Sequence, residues 1–148
     1  MTPGQMTGAS RGGRVRPPDR RETILAAATT EFSAHGFHAT PLSAIAEATG
    51  ISTPALYRHF ANKVQLLAAV TRDMALRVAG VLESVPPRPD DPRGELTDLI
   101  EAFLADTLTH RHTTDLYRWE WRMLDDEDRQ FVRQIRLTSH RRVRGLVQ

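Results

Sequence analysis

The sequence predicts an all-α protein: a three-helix helix-turn-helix domain, homeodomain-like in layout, joined by one long helix to a partial second helical domain. Three observations predict this. Apolar residues recur at three- and four-residue steps along most of the chain, and no stretch resembles a strand or an internal repeat. Between residues 42 and 60 two short apolar patterns flank Gly50, where the chain can turn without a Cβ penalty. A proline-rich break at 85–92 separates two longer helical patterns. At 148 residues the chain is long enough for one domain, or for a small domain fused to part of a second.

The elements follow in order. Residues 1–18 are rich in Gly, Pro, Ser and Arg and have no apolar h-region, so they read as a disordered basic arm and not a signal peptide. A first helix over about 19–35 carries Ile24, Ala28 and Phe32 at four-residue spacing, with Leu25 and Ala27 widening the stripe. Asp19 is its N-cap, and Glu22 completes a capping box. Gly36 ends it, and Phe37 returns to the core. The second helix starts near Leu42, with Thr40 as N-cap and Pro41 at the first helical position. Its inner face is Leu42, Ile45 and Ala46. Ile51 is a buried hinge. Ser52 caps the third helix, Pro54 lies in its first turn, and Leu56 and Phe60 face inward. Asn62 caps a fourth helix over about 63–84, with Val64, Leu67, Val70, Met74, Val78, Val81 and Leu82 as its stripe. At about 1.5 Å per residue it is long enough to act as a strut. A fifth helix covers about 93–109, with Leu96, Leu99, Ile100, Phe103, Leu104 and Leu108. A sixth covers about 114–124. The acidic run Asp125, Asp126, Glu127 and Asp128 suits the start of a last helix bearing Phe131, Val132, Ile135, Val143, Leu146 and Val147. The domain boundaries read as arm 1–18, helix-turn-helix 19–66 and helical body 67–148.

Composition limits the chemistry. Net charge is only +2 and charged residues are 26%, so global charge says little about partners. There is no cysteine, hence no disulfide and no thiolate metal site, which is compatible with a cytosolic protein. No apolar run is long enough to span a membrane. Charge distribution is more informative. Arg11, Arg14, Arg16, Arg20 and Arg21 precede the first helix with only Asp19 against them, an arrangement that suits phosphates or a minor groove, or a plain solvated tail. The outer face of the third helix shows Thr53, Ala55, Tyr57, Arg58 and His59, which is small, hydroxylated, aromatic and basic, and suits a major groove. Lys63 sits at the positive end of the fourth helix, which is unfavourable unless an anion lies there too.

Blander readings stand beside these. Tyr57 can pack at the edge of the three-helix core, His59 can favour a helix C-terminus, and Ser52 and Thr53 can be caps. Phe103, Leu104, Tyr117, Trp119, Trp121 and Met123 can line an adaptable apolar pocket or be ordinary core. Arg118 and Arg122 can meet an anionic ligand, or pair with Glu120, Asp115 or Asp126. His110, His112 and Asp115 have poor spacing for a metal, so neither metal nor cofactor is expected. Arg129, Arg133, Arg136, Arg141, Arg142 and Arg144 give the last helix a basic face, read as a solvated face or a second nucleic-acid surface. No nucleophile–base pair or phosphate loop asks for an enzyme.

The string ILAAATTEFSAHGFHATPLSAIAEATGISTPALYRHFANKVQLL resembles the DNA-binding domain of the tetracycline-repressor (TetR/AcrR) family of bacterial regulators. Phe32, Gly36-Phe37, Ile45-Ala46, Gly50 to Ser52, the LYRHF run and Asn62-Lys63 carry it. The resemblance implies a cytoplasmic repressor of transcription that binds a duplex operator and is released by a small ligand. It implies base contacts at Thr53 and Pro54, close approach at Ala55, phosphate contacts at Tyr57, His59 and Lys63, and backbone contacts at Thr40 and Ser43. Pro41 and the short Ser43 depart from the family's usual residues, which leaves Arg58 and the arm to add specificity. The pocket would use Phe103, Leu104, Tyr117 and Trp121 for a small apolar effector, with an acyl-CoA-like molecule as one candidate. Homodimers are expected, but the helices that usually form the dimer bundle are missing from a chain whose helical pattern still runs at Gln148. This implies a truncated body that pairs weakly through the exposed apolar stripe of helices five to seven. A protein-binding helix-turn-helix module and a non-functional truncated regulator are the alternatives.

Overall fold

In the computed structural model, which describes residues 19–110 and 120–148, the first helix forms where the four-residue apolar spacing places it. This helix, α1, spans Arg20–His35 and buries Ile24, Leu25, Ala28, Thr29 and Phe32. Glu22 accepts a hydrogen bond from the Asp19 backbone N–H at 3.3 Å, the reciprocal arm of the capping box. Arg20 and Arg21 belong to this helix and not to the arm, and the Arg21 guanidinium covers the Phe60 ring at 5.1 Å. Gly36 ends the helix at φ 80°, ψ 158°, a backbone conformation open essentially to glycine alone. Phe37 then packs on Phe32 with ring centroids 5.5 Å apart.

Helices α2 (Leu42–Ala48) and α3 (Thr53–Tyr57) are short. They turn at Gly50, φ 67°, whose N–H donates to Glu47 O, while Ile51 N–H donates to Ala46 O. Ile51 is half-buried rather than fully buried. Helix α4 (Lys63–Ser84) starts on Asn62, whose side chain accepts from Gln65 N–H at 2.8 Å. Helix α5 (Pro92–Thr109) starts one residue earlier than its apolar pattern, because Asp91 caps it by accepting from Gly94 N–H at 2.9 Å. A 3₁₀ turn (Glu120–Met123) leads to α6 (Asp126–Val147), capped by Asp125. The expected sixth helix falls largely outside the described residues. All regular structure among the described residues is helical.

The head and the body share their core. Ile24, Phe32, Ile45, Leu56, Leu66 and Leu67 are almost inaccessible, and Val70, Met74, Leu124 and Val132 continue the same cluster along α4 and onto α6. Each such side chain contributes roughly 1.5–3 kcal/mol relative to exposure. Leu66 fills the inner face of α4, whereas Val64, read as part of the stripe, is exposed. A second, smaller cluster of Leu82, Val85 and Leu99 joins the far ends of α4, α5 and α6.

Two polar latches hold α6 to α4. At one end Arg72 pairs with Asp128, and with Glu127 at 3.1 Å, and lies 4.6 Å over the Phe131 ring. At the other, Arg142 bonds the carbonyls of Leu82 and Val85 and Glu95 Oε1 at 2.9 Å. Glu95 is buried, and its second oxygen accepts the Arg88 N–H at 2.6 Å. The 85–92 break is therefore a stapled corner: Val85 is buried, and Arg88 also pairs with Asp98. Arg129 and Arg142, read as members of the basic face, are engaged within the fold instead: Arg142 in the latch just described, and Arg129 with Leu124 O and Asp126 in its own first turn. The Arg88 N–H, together with the hydrogen bond and charge of Arg142, holds the Glu95 carboxyl below its ordinary value of 4.5. A depressed folded-state pKa stabilises the fold fully above that value, and the contribution is lost as pH falls below it. The melting temperature of Glu95→Gln is therefore expected to lie below that of the native chain at pH 7. The gap should close as pH falls through and below the ordinary carboxylate range, followed by circular dichroism melts across the acid range.

Candidate nucleic-acid interface

The short third helix divides its residues cleanly. Leu56 and Phe60 go inward, at 1% and 5% exposure, and join the core shared with the neighbouring helices, while α3 packs against α2. Ser52 caps it: its hydroxyl accepts the Ala55 N–H at 3.3 Å. Thr53 and Pro54 then occupy the first two helical positions, Thr53 half-buried and Pro54 exposed. Ala55 is half-buried beside them. Tyr57 closes the helix with half of its surface exposed, and Arg58 and His59 follow in the exposed turn, where their N–H groups bond Ala55 O and Leu56 O. Pro54, Tyr57, Arg58 and His59 are thus exposed along α3 and its turn, with half-buried Thr53 at the capped N-terminus. Ser43 is exposed in the first turn of α2.

Thr40 does not belong to this set. Pro41, not Thr40, is the N-cap of α2. Thr40 is 1% exposed, and its hydroxyl donates to Gly36 O at 2.8 Å and Glu31 O at 3.1 Å. It ties the end of α1 to the start of α2 and has no surface to offer a phosphate. The spacing that suggests a cap cannot show that a carbonyl from the preceding helix competes for the same hydroxyl.

Lys63 has an internal role that its position does not announce. Its ammonium donates to His38 O at 3.2 Å and lies 4.7 Å over the Phe37 ring. The carbonyl and the ring face offset the poor placement of a cation at a helix N-terminus. Lys63 thereby joins the α1–α2 turn to the first turn of α4, twenty-five residues away in sequence. His38, exposed at this junction, is the residue that sequence reasoning passes over. The only cue is the polar residue after Gly36-Phe37.

In the body, Phe103 lines a cleft of about 610 Å³ between α5 and α6, with Leu137, Ser139, His140, Arg141, Val143 and Arg144. Leu104 is exposed and is absent from that lining. Tyr117, Trp119 and Arg118 lie outside the described residues, as does the Trp121 side chain. Met123 is exposed, and Arg122 is exposed while Asp126 pairs with Arg129. Among the metal candidates, His110 bonds Asp106 within its own helix turn, and His112 and Asp115 lie outside the described residues.

A capped recognition-type helix, a glycine turn and a strut that carries the head into a helical body define a helix-turn-helix protein of the regulatory type. The chain belongs to the tetR family of bacterial regulatory proteins, whose model matches residues 24–70. A TetR-like transcriptional regulator from Rhodococcus sp. RHA1 is 31% identical, with 85% of this chain and 67% of that one covered and a TM-score of 0.63. The transcriptional activator FasR of Mycolicibacterium smegmatis is 37% identical over 97 residues, covering 65% of this chain and 44% of FasR. The repressor KstR2 of the same organism is 32% identical over 112 residues, covering 75% of this chain and 54% of KstR2. The chain thus spans about half the length of the curated relatives it matches. PfmR of Thermus thermophilus, at 24% identity, shares the fold with a TM-score of 0.77 over 86% of this chain and 68% of that one.

Thr40→Val keeps the shape and removes the hydroxyl from two carbonyls. It is expected to cost about 1–3 kcal/mol of stability, read from urea denaturation, because those acceptors lose a buried donor.

Proposed function

We propose that this chain is a sequence-specific DNA-binding regulator of transcription, acting as a cytoplasmic repressor that a small ligand releases. One observation carries the reading: Pro54, Tyr57, Arg58 and His59 are exposed beside half-buried Thr53 on α3 and its turn, while Leu56 and Phe60 anchor the same segment in the core. Thr53, Pro54 and Ala55 at the leading end meet base edges, where a hydroxyl, a ring and a methyl fit the thymine methyl and its neighbours. Tyr57 and His59 take phosphates on one side, and Ser43 on the other. Lys63 supports this in two ways, by its charge and by fixing the α1–α2 turn. The names of the relatives, an activator and a repressor of transcription, support DNA regulation by the head.

The effector is a small apolar molecule of the acyl-thioester kind. Supporting this, the α5–α6 cleft offers Phe103, Leu137 and Val143 as apolar walls. Reading a two-fold operator takes two copies. The stripe Ile100, Leu104 and Leu108, more than half exposed along α5, supports pairing there.

Binding of the purified chain to its own upstream DNA at two salt concentrations, with sedimentation of the same sample, tests the reading. Tight, salt-sensitive binding of a dimer to one palindromic fragment is expected. Lys63→Gln should weaken every sequence alike and reduce the log–log salt slope by about 0.9. Thr53→Val should change the order of preferred sequences. An equal loss on all sequences after Thr53→Val would contradict base reading by that residue.

A further inference from the structure

The body carries a charged feature that the reading head does not use. Residues 129–148 contain six arginines and a histidine and no aspartate or glutamate. Two of those arginines, Arg129 and Arg142, bond carboxylates and carbonyls. The other four, Arg133, Arg136, Arg141 and Arg144, are exposed and have no ion pair among the described residues. The nearby acids are committed elsewhere: Asp128 and Glu127 to Arg72, Asp126 to Arg129, Glu95 to Arg142, Asp98 to Arg88 and Asp106 to His110. On α5, Glu101 is the acid outside these pairs. Helical spacing puts Arg133, Arg136, His140 and Arg144 in one row, with Arg141 beside it. The row rises about 16 Å from end to end.

We infer that this α6 ridge is a second nucleic-acid contact, one that grips the phosphates of duplex DNA without reading bases. The guanidinium fork matches phosphate oxygens, and the row is long enough to follow several phosphates on one strand, at about 3.4 Å of axis each. An anionic membrane fits less well. Its amphipathic helices insert an apolar face, and here Phe131, Val132, Ile135 and Leu146 are already packed on α4 and α5. The far end of the ridge lies well away from the α3 edge. Arg142 reaches Leu82, and Leu82 lies about 28 Å along α4 from Lys63.

The test uses the full chain with its reading edge disabled by Thr53→Val and Tyr57→Ala, on a random duplex without an operator. Its failure is therefore distinct from failure of the α3 reading, which operator preference decides. The basic arm is present in both proteins compared. Adding R133Q, R136Q, R141Q and R144Q together is expected to reduce the log–log salt slope by about 3 to 4, with the melting temperature unchanged because none of the four has an ion pair to lose. An unchanged slope overturns the inference. So does loss of binding to phosphatidylglycerol vesicles with duplex binding intact, since the ridge would then serve a lipid surface.

Discussion

Everything in this fold leans on the inner face of α4. Leu66, Leu67 and Val70 are sealed on one side by α1, in one cluster with Leu56 of α3, and the same helix, a turn further on, receives Leu124 and Val132 from α6 and the turn before it. A single continuous core therefore runs from the helix-turn-helix into the body. Packing at interior density transmits displacement and does not absorb it. A shift of α6 along α4 has to be felt by the side chains that hold α3. The recognition edge is rigid for the same reason: a five-residue helix is far too short to be stable alone, and Leu56 and Phe60 supply what its backbone cannot.

The polar contacts add direction to that packing. Apolar surfaces let helices slide, whereas the Arg72 and Arg142 latches fix the register of α6 at both of its ends. The Arg142 latch is a part-buried pair, with Glu95 nearly inaccessible and each of its oxygens used. Such pairs specify an arrangement more than they stabilise one, because desolvation opposes the attraction. Lys63 plays the same part at the head, tying two turns that the core alone does not join.

The helices are largely legible in the sequence because their signals are local. Apolar spacing places α1 and α4 within a residue of where they lie, and Ser52, Asn62 and Asp19 stand where their helices begin. What escapes is what depends on distant partners. Thr40 looks like a cap because the carbonyls that claim its hydroxyl come from α1 and the glycine that ends it. Arg142 looks like one more surface cation because Glu95 is forty-seven residues away. The proline-rich break looks like a linker because nothing in proline and aspartate content foretells a buried Val85 and a bonded Arg88. At the interface the outward residues of α3 can be read from spacing, but the bond between Lys63 and His38 cannot.

The Arg142 latch also bears on the order in which the chain folds. The carbonyls of Leu82 and Val85 belong to the C-terminal end of α4, where a helix has no partners of its own. Here their donor comes from a residue 57 to 60 positions later. Closing a loop of that length costs entropy before any contact returns it. The contacts of the head close shorter loops, the Lys63 bond to His38 spanning twenty-five residues, so the head can form while the end of α4 is still frayed. The carbonyls at the end of the strut therefore gain this donor only when α6 arrives, whereas the first turn of α5 already has its Asp91 cap and the Arg88 N–H bond to Glu95.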